Sequence, residues 1–269
     1  MPEPPSNGES VSSPTAMVRR HPLICFFALA TLISWASFYA LRGPSVFTLG
    51  PLLAALIVAT LTGGLPGLRD LAGRVFRWRV GPGWYAAALL VPVAIGLASA
   101  ALTVLAGASM RAPLRPGPWY EPVLLFATLL LTGDTLFEET GWRGFALPRF
   151  PAGRSRLANT VILGVLLAGW HLPIAVSESA ALVPYLLATI ASAVVTNWVY
   201  YGGRESALLA WLYHTSANTA GQLVLPLLDA QHRVTFFWML AAANTLAAAI
   251  VLVVPMIRRR AVAPPSARC

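Results

Sequence analysis

Residues 121–143 read EPVLLFATLLLTGDTLFEETGWR, an apolar run that ends in Glu138, Glu139 and Arg143. An apolar run of this kind predicts a helix that enters a lipid bilayer. Each ionised residue near the middle of a bilayer costs about 2.5–3.5 kcal/mol. Two adjacent carboxylates at or inside a membrane boundary are therefore expected to have a function.

The composition of the whole chain agrees with a membrane location. Of the 269 residues, 57% are hydrophobic and 11% are charged, whereas soluble domains carry about 25% charged residues. The net charge is +9, but the arginines lie in small groups between apolar runs and form no single basic face. This distribution argues against a nucleic-acid partner. With only two cysteines, Cys25 and Cys269, neither a disulfide framework nor a cysteine-based zinc site is expected.

Eight apolar runs approach the roughly 20 residues that cross 30 Å of hydrocarbon. The predicted fold class is therefore an all-α polytopic membrane helix bundle of about eight transmembrane helices, within residues 19–260. The runs lie at about 23–41, 46–65, 84–107, 121–138, 159–177, 181–201, 206–228 and 235–257. Residues 1–18, rich in proline and serine, predict a disordered tail, and residues 261–269 predict a short tail. No internal repeat is found, which argues against a transporter built from inverted halves.

The arginines predict the orientation of the chain, because cytoplasmic loops carry the positive excess. With the N-terminus inside, 15 of the 19 arginines fall on the cytoplasmic side. The other four fall outside: Arg42, Arg111, Arg115 and Arg233. Both termini are therefore predicted to be cytoplasmic, and we expect an integral protein of a bacterial cytoplasmic membrane.

Few ionisable residues remain at membrane depth once the loops are set aside. They are Asp134, Glu138, Glu139, His171 and His214, with Arg143 at the boundary. Glu139 and Arg143 are four residues apart and can pair on one helix face, which leaves Glu138 on a different face. Asp134 is interpreted as a helix-packing residue.

Two further features of these residues favour hydrolytic chemistry. His214 and Asn218 are four residues apart, so that one helix face presents an imidazole and a carboxamide together. Both groups can donate hydrogen bonds to an oxyanion. Glu138 together with His171 can take a proton from a water molecule.

Simpler interpretations of the same residues remain open. A single histidine in an apolar helix often only bonds a neighbouring carbonyl, and Asn218 can serve as a contact between helices. Glu138, Glu139 and Arg143 can form an interfacial cluster whose charged ends reach water. The buried carboxylates and histidines can also form a proton relay in an ion-coupled transporter.

The residues in order resemble the CPBP family of intramembrane proteases, also called the Abi or type II CAAX prenyl endopeptidase family. Three motifs carry the resemblance: EETGWRG at 138–144, WHLP at 170–173 and HTSAN at 214–218. The resemblance as a whole spans residues 121–228, about 40% of the chain. The predicted helix count also agrees with that family.

The resemblance implies an endopeptidase that acts near the cytoplasmic membrane face. It implies that Glu138 and His171 activate the attacking water and that His214 and Asn218 stabilise the oxyanion. Glu139 and Arg143 would hold the site together. The family usually has phenylalanine four residues before the second-motif histidine, whereas this chain has Leu167, which keeps an apolar packing residue.

Cofactor and substrate are only partly indicated by the sequence. We favour a glutamate-type, metal-independent hydrolase, because the His-Glu-x-x-His zinc motif is absent and asparagine is a poor zinc ligand. If zinc is bound, its ligands are expected to be Glu138, His171 and His214. The expected partners are the lipid bilayer and a membrane-associated peptide or protein, and nothing indicates recognition of a prenyl group. The alternative is a non-enzymatic membrane immunity or regulatory protein of the same family.

Overall fold

The computed structural model describes residues 14–43, 47–109, 117–177 and 181–262. In that part of the chain the regular structure is helical. The α-helices are α1 (Pro14–Arg20), α2 (Pro22–Ala40), α3 (Leu49–Val75), α4 (Pro82–Leu105), α5 (Glu121–Thr132), α6 (Asp134–Glu139), α7 (Arg156–Trp170), α8 (Leu172–Ser177), α9 (Leu182–Gly202), α10 (Ala207–Val224) and α11 (Arg233–Val262). A π-helical segment, Thr140–Ala146, follows α6 directly. The predicted all-α fold class is confirmed.

Each of the eight apolar runs contains a helix or a pair of helices. Within the described residues, five segments are long and apolar enough to cross a membrane: Pro22–Ala40, Leu49–Val75, Pro82–Leu105, Leu182–Gly202 and Ala230–Val254. Two shorter apolar helices, Glu121–Thr132 and Arg156–Trp170, come from runs that were predicted to be continuous. The polytopic membrane architecture is thus as predicted, although some of its helices are interrupted.

The interruptions have local causes. The run at 121–138 breaks at Gly133, whose φ of 82° is left-handed and therefore favours glycine. The run at 159–177 breaks at His171, two residues before Pro173, which cannot donate a backbone hydrogen bond. The second run continues to Val75 with a kink at Gly64, where φ is 55°. The break at His171 falls on a predicted site residue, and the break at Gly133 lies five residues before Glu138.

Several predictions lie on residues outside the described ranges. They include most of the N-terminal tail (1–13), the predicted outer arginines Arg111 and Arg115, and the C-terminal residues 263–269. Residues 14–20, by contrast, are described as α1.

Two clusters of buried apolar side chains hold the helices around the charged stretch. The first packs α2 and α3 against the π-helical segment, where Trp142 is 1% exposed. Its ring contacts Phe26, Phe27 and Trp170 at centroid distances of 5.3–5.9 Å. The second cluster joins α4, α9, α10 and α11. Charged residues of the EETGWR stretch are thus fixed between two apolar layers.

Candidate active site

The charged stretch is buried inside the protein. Glu138, Glu139 and Arg143 are 6%, 2% and 3% exposed. A cluster whose charged ends reach water would be far more exposed, so that simpler interpretation does not describe these residues. The backbone is brought close to α3 at Gly141, because a Cβ atom there would lie 2.8 Å from the carbonyl oxygen of Pro51. Because glycine has no side chain, the backbone at Gly141 can approach Pro51 this closely.

The predicted pair between Glu139 and Arg143 is present. Nη1 of Arg143 lies 2.9 Å and 3.0 Å from the two carboxylate oxygens of Glu139. Nε of Arg143 donates to Oδ1 of Asn197 at 2.9 Å, and Nδ2 of Asn197 donates to Oγ1 of Thr160 at 3.2 Å. Each of these bonds is buried, which satisfies the buried charges within the protein.

His214 forms a hydrogen bond with the same ion pair. Its Nδ1 lies 3.0 Å from Oε1 of Glu139. An ionised carboxylate only accepts hydrogen bonds, so Nδ1 carries the proton and Nε2 is the second, independent ring nitrogen. Spacing along the chain gave no sign of this contact, because 75 residues separate the two partners.

His171 is oriented by the backbone of α7. Its Nδ1 lies 2.9 Å from the carbonyl oxygen of Leu167. A carbonyl oxygen cannot donate, so Nδ1 carries the proton and Nε2 of the neutral ring has a free lone pair. The residue is placed by the break between α7 and α8, and its ring packs edge-on against Trp170 at 4.6 Å.

One cavity brings the predicted catalytic residues together. It has a volume of about 490 Å³. Its walls include the predicted site residues and several polar side chains from α9, α10 and α11: Glu138, Glu139, Arg143, His171, His214, Asn218, Tyr185, Gln222 and Asn244. Glu138 makes no ion pair with any described residue. Asp134 does not line this cavity and accepts a hydrogen bond from Thr48 at 3.0 Å instead.

Several polar residues in or near the cavity were not predicted from the sequence, among them Asn197, Thr160 and Gln222. Asn197 and Thr160 extend the bonding of Arg143. Gln222 follows Asn218 by four residues on α10 and also lines the cavity. Gln222 could have been predicted from the sequence, because His214, Asn218 and Gln222 are each four residues apart and therefore lie on one helix face.

The three donors named for a metal, Glu138, His171 and His214, all line the cavity. In the described part of the chain, no group of three or more His, Cys, Asp or Glu side chains is arranged to hold a metal ion. A zinc site would require these donors to approach one another more closely than they do here.

Comparison with known proteins identifies the part of the chain that contains these cavity residues. Residues 118–220 match the family model described as type II CAAX prenyl endopeptidase Rce1-like. A curated protein of Methanococcus maripaludis named CAAX prenyl protease 2 is 26% identical over 135 residues. The resemblance to the CPBP family is confirmed. The aligned part covers 46% of this chain and 48% of that relative, so the chain spans about half the length of the relative. The CPBP match includes every residue from Glu138 to Asn218.

Proposed function

We propose that the chain is an intramembrane endopeptidase of the CAAX-protease type. The observation that carries the proposal is the single cavity lined by Glu138, His171, His214 and Asn218. A carboxylate, two imidazoles and a carboxamide around one space provide both a base and oxyanion donors. The match to the type II CAAX prenyl endopeptidase family model supports a protease of this type, and its range, residues 118–220, contains these four residues.

In the proposed reaction, Glu138 takes a proton from a water molecule in the cavity. His171 accepts the second hydrogen bond of that water at Nε2, since its Nδ1 proton is held by Leu167. The water oxygen then attacks the carbonyl carbon of the substrate peptide bond, and the carbonyl oxygen becomes an oxyanion. When the carbon–nitrogen bond breaks, the leaving amine receives the proton from Glu138.

The oxyanion is stabilised from α10. Nδ2 of Asn218 donates a neutral hydrogen bond. His214 can donate from Nε2 only as an imidazolium, because its Nδ1 proton is engaged by Glu139. The Glu139 carboxylate beside the ring favours that charged form, and the positive charge then faces the developing negative charge. Glu139 and Arg143 therefore position a catalytic group rather than react themselves.

Cleavage of membrane-tethered peptides by the reconstituted protein tests this proposal. We expect cleavage by the wild type and loss of cleavage by Glu138→Ala and His171→Ala. Asp134→Asn is the matched control, because Asp134 lies one turn before Glu138 on α6 but outside the cavity. Equal turnover by all four proteins would exclude this set as the catalytic residues.

We further propose that hydrolysis is independent of metal. The donors around the cavity suffice for the proposed steps, so treatment with a chelator is expected to leave the rate of cleavage unchanged. Loss of activity on chelation, followed by recovery on addition of zinc alone, would contradict this.

A further inference from the structure

A second recess lies on the other flank of α9. It has a volume of about 280 Å³ and is called the groove here. Its walls come from α4, α7, α9 and α11, and are formed by Trp84, Arg156, Leu157, Thr160, Val194, Trp198, Tyr201, Gly202, Val251 and Leu252. Three of these four helices contain segments long and apolar enough to cross a membrane. The groove shares no residue with the catalytic cavity.

Among the described residues that form the groove wall, Arg156 alone is charged. Its guanidinium carbon lies 4.8 Å from the ring centroid of Tyr201, and the side chain forms no ion pair or hydrogen bond with any described residue. Arg156 is exposed and begins α7. A cation held over an aromatic ring at the end of a membrane helix is suited to bind a phosphate.

Thr160 provides a hydrogen-bond donor inside the groove. Its Oγ1 accepts from Asn197, but its hydroxyl proton has no acceptor among the described residues, although the residue is only 4% exposed. Seven other helical threonines donate to the carbonyl four residues earlier: Thr60, Thr62, Thr103, Thr189, Thr196, Thr215 and Thr219. Buried donors are rarely left without an acceptor. An acceptor on a bound ligand would satisfy the hydroxyl proton of Thr160.

The order of groups along the groove matches a glycerophospholipid. Arg156 and Thr160 are one turn apart on α7, about 6 Å along the axis. In a glycerophospholipid only the glycerol unit separates the phosphate from the ester carbonyls. Arg156 contacts Tyr201 and Thr160 contacts Asn197, so α9 runs antiparallel to α7. The groove wall therefore continues from Tyr201 through Trp198 to Val194 in the same direction, and becomes apolar.

We propose that the groove binds one anionic phospholipid. The phosphate contacts Arg156, an ester carbonyl accepts the Thr160 hydroxyl proton, and an acyl chain lies against Trp198, Val194 and Val251. The acidic headgroup is required because the wall contains a cation and no carboxylate. Arg156 lies on the side predicted to be cytoplasmic, so the bound lipid comes from the inner leaflet.

Native mass spectrometry of the full chain in detergent, titrated with phosphatidylglycerol, tests the proposal. We expect one phosphatidylglycerol to be retained more tightly than the rest, and phosphatidylcholine to bind this site more weakly. Arg156→Gln should lower the affinity about fivefold, the value of one cation near an anionic lipid. Thr160→Val should also lower it, and Val251→Trp, which fills the groove, should abolish retention of that molecule.

Arg154→Gln is the matched control, because Arg154 is exposed in the turn two residues before Arg156 but does not line the groove. Soluble glycerol phosphate separates the headgroup from the whole lipid and is expected not to compete. Equal weakening by Arg154→Gln and Arg156→Gln, unchanged retention in Val251→Trp, or equal affinity for phosphatidylcholine would overturn the proposal. Thermal unfolding of each variant is measured alongside, because loss of binding indicates loss of the site only in a variant that keeps the wild-type fold.

Discussion

The cavity and the groove lie at opposite ends of one chain of hydrogen bonds but present opposite chemistry. Glu139 and Arg143 line the cavity, Thr160 lines the groove, and Asn197, 1% exposed, lines neither and joins them through α9. The cavity adds an unpaired carboxylate and two imidazoles, whereas the groove adds mainly apolar and aromatic side chains. Charges that are paired within the hydrogen-bond network stabilise the fold. Polar groups at the two ends of the network, which face the cavity or the groove, are the ones that indicate function.

The largest expected effect distinguishes Glu138 from its neighbour Glu139. Glu138→Gln keeps the size of the side chain and removes the proposed base, so we expect kcat to fall by about 10²–10⁴-fold. Measurement of cleavage rates in proteoliposomes checks this, with Asp134→Asn as the control. Full biological activity of Glu138→Gln would instead favour the non-enzymatic immunity or regulatory alternative.

Glu139→Gln is expected to act on the fold as well as on the reaction. Neutralising Glu139 leaves the buried guanidinium of Arg143 without its ion-pair partner, and breaking a buried pair costs about 3–5 kcal/mol. Unfolding in mixed micelles should show this loss of free energy for Glu139→Gln, whereas Glu138 has no ion pair to lose. Equal destabilisation by both variants would remove the distinction between a closed network and an open group.

Asn197→Leu cuts the link between the two regions. It removes the acceptor of Arg143 Nε and leaves a buried donor unsatisfied, at a cost of about 1–3 kcal/mol. As a positioning residue, Asn197 should affect kcat more than KM, and Asn197→Asp, which retains the acceptor, should recover much of the rate. Asn159→Leu is the control, since Asn159 is also buried but makes no bond to this network. Equal kcat losses in the two leucine variants would indicate a general packing effect.

The helices could be predicted because the ability of a segment to cross a membrane depends on its own sequence. A span of hydrocarbon demands about 20 apolar residues, and each of the eight runs supplies part or all of this length. The breaks at Gly133 and His171 were not predicted, because they depend on backbone conformation within runs that remain apolar. The orientation from the arginines stays a prediction, as do the two cytoplasmic termini.

The site could be predicted only where its residues share one helix face. The pairing of Glu139 with Arg143 follows from a four-residue spacing, and the structure contains it. The contact of His214 with Glu139 and the position of Asn197 depend on how distant helices pack, which spacing within one helix does not report. Asn197 in particular is a single amide within an apolar run, a pattern equally typical of a simple contact between helices.

The smallest expected effect concerns Gln222, at the far end of the polar stripe on α10. It lies two turns beyond His214, about 12 Å along the axis, which is about four residues of an extended peptide chain. We therefore expect its carboxamide to bind the substrate away from the bond that is cut. Gln222→Leu should raise KM by up to about tenfold, the value of one hydrogen bond, and leave kcat unchanged. Steady-state kinetics on long and short peptides provides the check, because a peptide too short to reach Gln222 should not distinguish the variant from the wild type. A fall in kcat of Gln222→Leu on both peptides would place Gln222 with the reacting groups and extend the catalytic part of the cavity along α10.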